Sequence, residues 1–78
     1  MRLEVLGTGC AKCNALETAV RAAADKLGVD YTLEHVKDIL RITEYGVMVT
    51  PALVIDGQVK VTGKIPSEAE LAKLLQGA

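Results

Sequence analysis

Gly7-Thr8-Gly9-Cys10-Ala11-Lys12-Cys13 carries both cysteines of the chain, spaced Cys-x-x-Cys. The residues before it, Arg2-Leu3-Glu4-Val5-Leu6, read as a short strand. After it, Leu16, Ala19, Val20, Ala23 and Leu27 recur at helical spacings, with Lys12, Glu17, Arg21 and Asp25 elsewhere on the wheel. The pattern predicts a helix from about Ala11 to Leu27. Gly7 and Gly9 allow unusual backbone angles at the joint. Both thiols are thus expected at a helix N-terminus, where unsatisfied N–H groups and the helix dipole favour a negative sulfur.

The rest of the chain reads outward from this turn. Gly28 fits the position just past the helix end. Tyr31 to Val36 reads as a second strand, and Asp38 can cap a short helix running through Ile39, Leu40 and Ile42 to Tyr45. Val47-Met48-Val49-Thr50-Pro51 is an apolar approach to a proline. Ala52–Ile55 and Gln58–Thr62 flank Asp56-Gly57, a strong two-residue hairpin signal. Ser67 and Glu70 match a capping box ahead of Leu71, Leu74 and Leu75. The order is βαβαββα. Two strands joined through a helix should be parallel with a right-handed crossover, and the hairpin must be antiparallel. An α/β fold follows, with a mixed four-stranded sheet and helices on both faces.

Composition narrows the function. The chain has 78 residues, half of them hydrophobic, with no Phe or Trp, so the core must be Val, Leu, Ile and Ala. Chains this small bury only roughly 60–65% of their unfolded surface. The net charge is −1 and no basic stripe appears, which argues against nucleic acid as a partner. No apolar run approaches the roughly 20 residues of a membrane span. Met1 leads directly into strand-like sequence with no leader pattern, so the expectation is a cytoplasmic protein. In a reducing compartment two cysteines point to catalysis or metal binding rather than to a staple.

The spacing favours chemistry over stabilisation. Cysteines three apart in a first helical turn can open and close a disulfide with little backbone movement. As a staple, a loop this short is worth at most roughly 2 kcal/mol. Cys10, at the loop, should be exposed, and Cys13, one turn in, shielded. The attacking group must be a thiolate, and an ordinary thiol is only about 3% ionised at pH 7. Raising that to about half needs roughly 2 kcal/mol, near the upper end of what a helix N-terminus supplies. Lys12 adds positive charge nearby, although solvent screens an exposed lysine.

Cys10-Ala11-Lys12-Cys13 after a strand, Thr50-Pro51 before a strand, and Asp56-Gly57 between the last strands resemble the small thioredoxin-like, glutaredoxin-sized redox disulfide proteins of archaea and bacteria. The resemblance covers essentially the whole chain, and implies one thioredoxin-like domain over residues 1–78. It implies a thiol–disulfide oxidoreductase with Cys10 as nucleophile and Cys13 as resolving thiol. It also implies that Pro51 is a cis-proline against the disulfide, and that the Thr50 backbone pairs with a bound substrate segment as an added strand. Gly9, Lys12 and Met48 would support the site. No cofactor beyond the Cys10–Cys13 disulfide is implied. The chain lacks the Trp-Cys-Gly-Pro-Cys of thioredoxins proper and the Cys-Pro-x-Cys of glutaredoxins. Val61-Thr62-Gly63-Lys64 also lacks the second glycine and the acidic pair that hold glutathione in glutaredoxins. The expected partners are therefore protein disulfides and a thioredoxin-reductase-like flavoprotein.

Glu4 lies six residues before Cys10, the offset of a buried acid that assists the resolving thiol in thioredoxins. Glutamate is rarely buried unpaired, so a place on the sheet surface is expected. His35, the only histidine, is expected to face solvent, and Tyr31 and Tyr45 to pack with wet hydroxyls. Met48 and Val49 suit either an apolar collar beside the cysteines or the core. The alternative function is a metal-binding or metallochaperone module using Cys10 and Cys13. Copper chaperones also place Cys-x-x-Cys between a first strand and helix. They continue strand–strand–helix–strand, however, whereas here a helical segment follows the second strand. No metal is expected, because one such pair supplies only two of the four ligands a structural zinc takes.

Overall fold

The computed structural model describes residues 1–9 and 11–76. Cys10 and residues 77–78 lie outside the described residues. The elements are β1 (Arg2–Leu6), α1 (Ala11–Leu27), β2 (Thr32–Val36), α2 (Ile39–Glu44), β3 (Ala52–Ile55), β4 (Gln58–Thr62) and α3 (Glu68–Leu75). The sheet order is β2-β1-β3-β4. β1 runs parallel to β2 and antiparallel to β3, and β3 runs antiparallel to β4. This is the α/β architecture expected, with β1 and β3 central.

Local chemistry explains the boundaries. Asp38 accepts a hydrogen bond from Leu40 N (2.9 Å) and starts α2. Ser67 Oγ accepts from Glu70 N (3.2 Å), and Glu70 Oε1 accepts from Ser67 N (3.3 Å), closing the capping box of α3. Asp56 and Gly57 have φ of 49° and 85°, the positive pair that a type I′ hairpin turn demands. Asp56 also ties the hairpin to β1, with its Oδ1 accepting from Arg2 N and its own N–H donating to Arg2 O (2.8 Å each).

Strand alternation divides the core in two. On one face Leu3, Val5, Leu53 and Ile55 pack under α1 (Leu16, Val20, Ala23, Ala24) and α3 (Leu71, Leu75). On the other Leu6, Ala52, Val54 and Val36 meet Ile42 of α2, with Tyr45, Val47 and Val59 around them. Burying each Leu, Val or Ile contributes about 1.5–3 kcal/mol, so a core without aromatic rings still holds. The C-terminal ends of β1 and β2, the start of β3 and the end of β4 fall at one edge of the molecule. No helix among the described residues is long and apolar enough to cross a membrane.

Candidate active site

Three chain segments meet at that edge. A β-carbon placed on Gly7 would fall on Cys13 Sγ, 3.1 Å from Cys13 Cβ and 4.0 Å from Thr50 Cβ. Gly7, at the end of β1, thus leaves the space into which the Cys13 sulfur fits, with Thr50 alongside. Cys13 is fully buried on the inner face of α1. The Thr50–Pro51 peptide is cis, Pro51 is buried and Thr50 is exposed. Pro51 O accepts from Gly63 N (2.7 Å), which fastens this loop to the end of β4. Gly63 also approaches Val49 closely: a β-carbon there would stand 2.9 Å from Val49 Cγ1.

The residues expected to support the site take distinct places. Gly9 has φ of +96°, a conformation that favours glycine, so the turn into α1 uses it directly. Lys12, in the first turn of α1, is exposed. Met48 is 96% exposed and Val49 57%, so neither belongs to the core. Ile39 and Leu40, in the first turn of α2, are also exposed, at 65% and 74%. Sequence reasoning did not bring Ile39, Leu40 or Lys37 to this edge, and it read Gly7 for backbone freedom rather than for its close approach to Cys13. Parallel pairing was the available signal: the residues just after β2 must lie beside the end of β1.

Glu4 corrects the expectation of a sheet-surface residue: it is only 1% exposed. It lies on a central strand, and its side chain points to the α2 face, opposite α1. The carboxylate is buried because it is not alone. Glu4 Oε1 accepts from Tyr45 Oη (2.7 Å) and Oε2 from Arg41 Nη2 (3.2 Å), with Arg2 Nε 3.6 Å from Oε1. Arg41 also bonds Glu34 on β2. The bond to Glu4, and then burial, hold the Tyr45 phenol above its usual range, so Tyr45 is a committed donor rather than a wet hydroxyl. This network clamps α2 to the sheet. Hydrogen bonds to charged groups are worth about 1.5–3 kcal/mol, and Tyr45 is partly exposed, so Tyr45→Phe should cost about 1–2 kcal/mol. A urea midpoint unchanged by that substitution would show that the clamp carries no stability.

His35 is a second correction. Its side chain is only 11% exposed, and Nδ1 lies 2.8 Å from Glu17 Oε1 of α1. Position 35 falls on the α1 face of β2, so alternation turns the ring under the helix instead of outward. Burial works against the Glu17 carboxylate, but its bonds to His35 and Arg21 outweigh that and hold its pKa below the usual value. Tyr31 keeps an outward hydroxyl, donating to Asp25 Oδ1 (2.9 Å).

A central strand feeding a cysteine-bearing helix, opposite a cis-proline loop that opens the antiparallel half of the sheet, defines the thioredoxin-like class of thiol–disulfide oxidoreductases. A family model described as "Thioredoxin domain" matches residues 1–76. The chain is 39% identical over 75 residues to a protein named Thioredoxin from Methanothermobacter thermautotrophicus, covering 96% of this chain and 97% of that one. It is 38% identical over 74 residues to a Thioredoxin of Methanocaldococcus jannaschii, covering 95% of this chain and 85% of the relative. The chain belongs to the thioredoxin family and is a thiol–disulfide oxidoreductase of that kind.

Proposed function

We propose that the chain acts as one thioredoxin-like domain that reduces protein disulfides through Cys10 and Cys13. The observation that carries this reading is the meeting of Gly7, Cys13 and Thr50 at one point. It sets a sulfur one helical turn beyond Cys10 beside the loop where a substrate backbone would pair. The Cys10 thiolate attacks one sulfur of the substrate disulfide. That S–S bond breaks, the departing sulfur takes a proton, and a mixed disulfide remains. The Cys13 thiolate then attacks the Cys10 sulfur, forming the Cys10–Cys13 disulfide and releasing the second substrate thiol. Two electrons pass from the dithiol to the substrate, so the pair itself stores them and no bound cofactor is needed. In this scheme Thr50 offers its backbone to the substrate strand and Pro51 shapes the surface beside the sulfurs. Gly9 permits the turn, Lys12 adds positive potential, and Met48 covers the docked segment. A cytoplasmic setting suits a dithiol that must be returned to its reduced form.

Recharging should come from a thioredoxin-reductase-like flavoprotein and not from glutathione. A glutathione site needs polar groups aimed at its carboxylates and amine. Here Lys64 pairs with Glu70 (3.6 Å) and Glu68 with Lys26 (2.6 Å), so neither is set aside for the tripeptide. The test mixes oxidised protein with millimolar glutathione, or with a thioredoxin reductase and its nicotinamide donor, and follows thiol appearance. Reduction by the reductase and slow reaction with glutathione are expected. Fast turnover with glutathione alone, and none with any reductase, would overturn the assignment.

A further inference from the structure

The turn that carries the thiols is bordered by cations that the rest of the described structure leaves uncompensated. Lys37 follows β2 directly, and its Cε would stand 3.9 Å from a β-carbon on Gly9, the residue before Cys10. Its ammonium is one bond further on. Lys12 is exposed in the first turn of α1. Neither lysine takes part in the ion pairs among the described residues. The acids nearest them in the chain are committed elsewhere. Asp38 caps α2 through Leu40 N, and Glu17 uses one oxygen on His35 and the other on Arg21. Beyond Gly63, Lys64 has Glu70. The same edge exposes Ile39, Leu40, Met48 and Val49. An apolar surface of this kind is covered when a partner docks, while the two lysines set the charge that partner can bring.

We infer that the rim of the redox turn selects protein disulfides flanked by carboxylates: an apolar residue of the substrate covers the Met48–Val49 collar, and its Asp or Glu residues face Lys12 and Lys37. This rests on the reading of Cys10 and Cys13 as the exchanging pair. The lysines act by complementarity, raising the rate of productive encounter with acidic segments and lowering it with basic ones. They are specificity determinants that act through their charge and form no bond to the exchanging sulfurs.

The test uses three cystine peptides of equal length, with Asp, Ser or Lys flanking the disulfide, and insulin as a fourth substrate. The full-length reduced protein is mixed with each and release of peptide thiol is timed. Because every peptide meets the same thiol, the rate ratio between acidic and basic peptides does not register changes in thiol reactivity. At low salt the acidic peptide should react roughly tenfold faster than the basic one, and the ratio should fall toward unity near 0.5 M salt, as expected for exposed charges. The Lys12→Glu/Lys37→Glu variant should reverse the preference. Rates equal within about twofold, or a preference that ignores salt or survives charge reversal, would overturn the selection while leaving disulfide reduction intact. Failure to reduce any of the four substrates would instead overturn the Cys10–Cys13 reading, and the selection with it.

Discussion

Replacing Cys10 by Ser is expected to abolish disulfide reduction, whereas replacing Cys13 by Ser should halt it half-way with substrate covalently held. The difference follows from the order of attack. A serine hydroxyl at position 10 has no thiolate to offer, and neutral hydroxyls are not nucleophiles toward disulfides at pH 7. The turn then binds but does not react. With serine at position 13 the first attack proceeds, but nothing close by can expel the substrate from the Cys10 sulfur. Cys13 sits fully buried on α1 against Gly7, so its sulfur is shielded from a partner protein. The mixed disulfide of the Cys13→Ser protein should accumulate and resolve only on adding an external thiol, a loss of turnover of at least about 10³-fold given the advantage of a positioned group over one in solution. Non-reducing gels and intact-mass measurement detect the adduct. The same asymmetry should appear in the wild-type dithiol, with iodoacetamide labelling Cys10 first. Accumulation of the adduct on the Cys10→Ser variant would reverse the assigned roles.

Gly7→Ala should be strongly destabilising for so small a change. The added methyl group would land on Cys13 Sγ and press on Cys13 Cβ at 3.1 Å. Both residues are rigidly placed, Gly7 just past the end of a central strand and Cys13 in the first turn of α1. Overpacking a close-fitted site costs about 1–3 kcal/mol, and these positions call for the upper end. For a chain of this size that lowers Tm by more than about 10 °C. A cycle tests the mechanism directly. Cys13→Ala removes the sulfur that the new methyl group meets, so Gly7→Ala should cost clearly less in that background. Equal cost in both backgrounds would place the damage elsewhere. The substitution should also slow disulfide closure, because the Cys13 sulfur has to move to make room for the methyl group.

Short-range chemistry made the elements legible. The helical spacing of Leu16, Val20 and Ala23, the Asp56-Gly57 turn, the caps at Asp38 and Ser67 and the order βαβαββα all depend on residues within a turn or two of one another. The described parts of the candidate site are legible for the same reason where they are local: Cys13 in the first turn of α1, and a proline just before β3. What could not be read locally was which strand is central. Leu3-Glu4-Val5-Leu6 looks the same in sequence whether one face of the strand is covered or both. Only the β2-β1-β3-β4 order puts helices over both faces of β1, buries Glu4 and brings Arg41 and Tyr45 to it from some forty residues away. The same order swings His35 under α1 and sets Lys37 beside Gly9. The exposure of Met48 and Val49 was likewise settled by tertiary structure, because an apolar stretch enters the core only where the fold leaves space for it. Here the Gly63 N–H bond to Pro51 O fastens the end of that loop, and Met48 and Val49 stay at the surface.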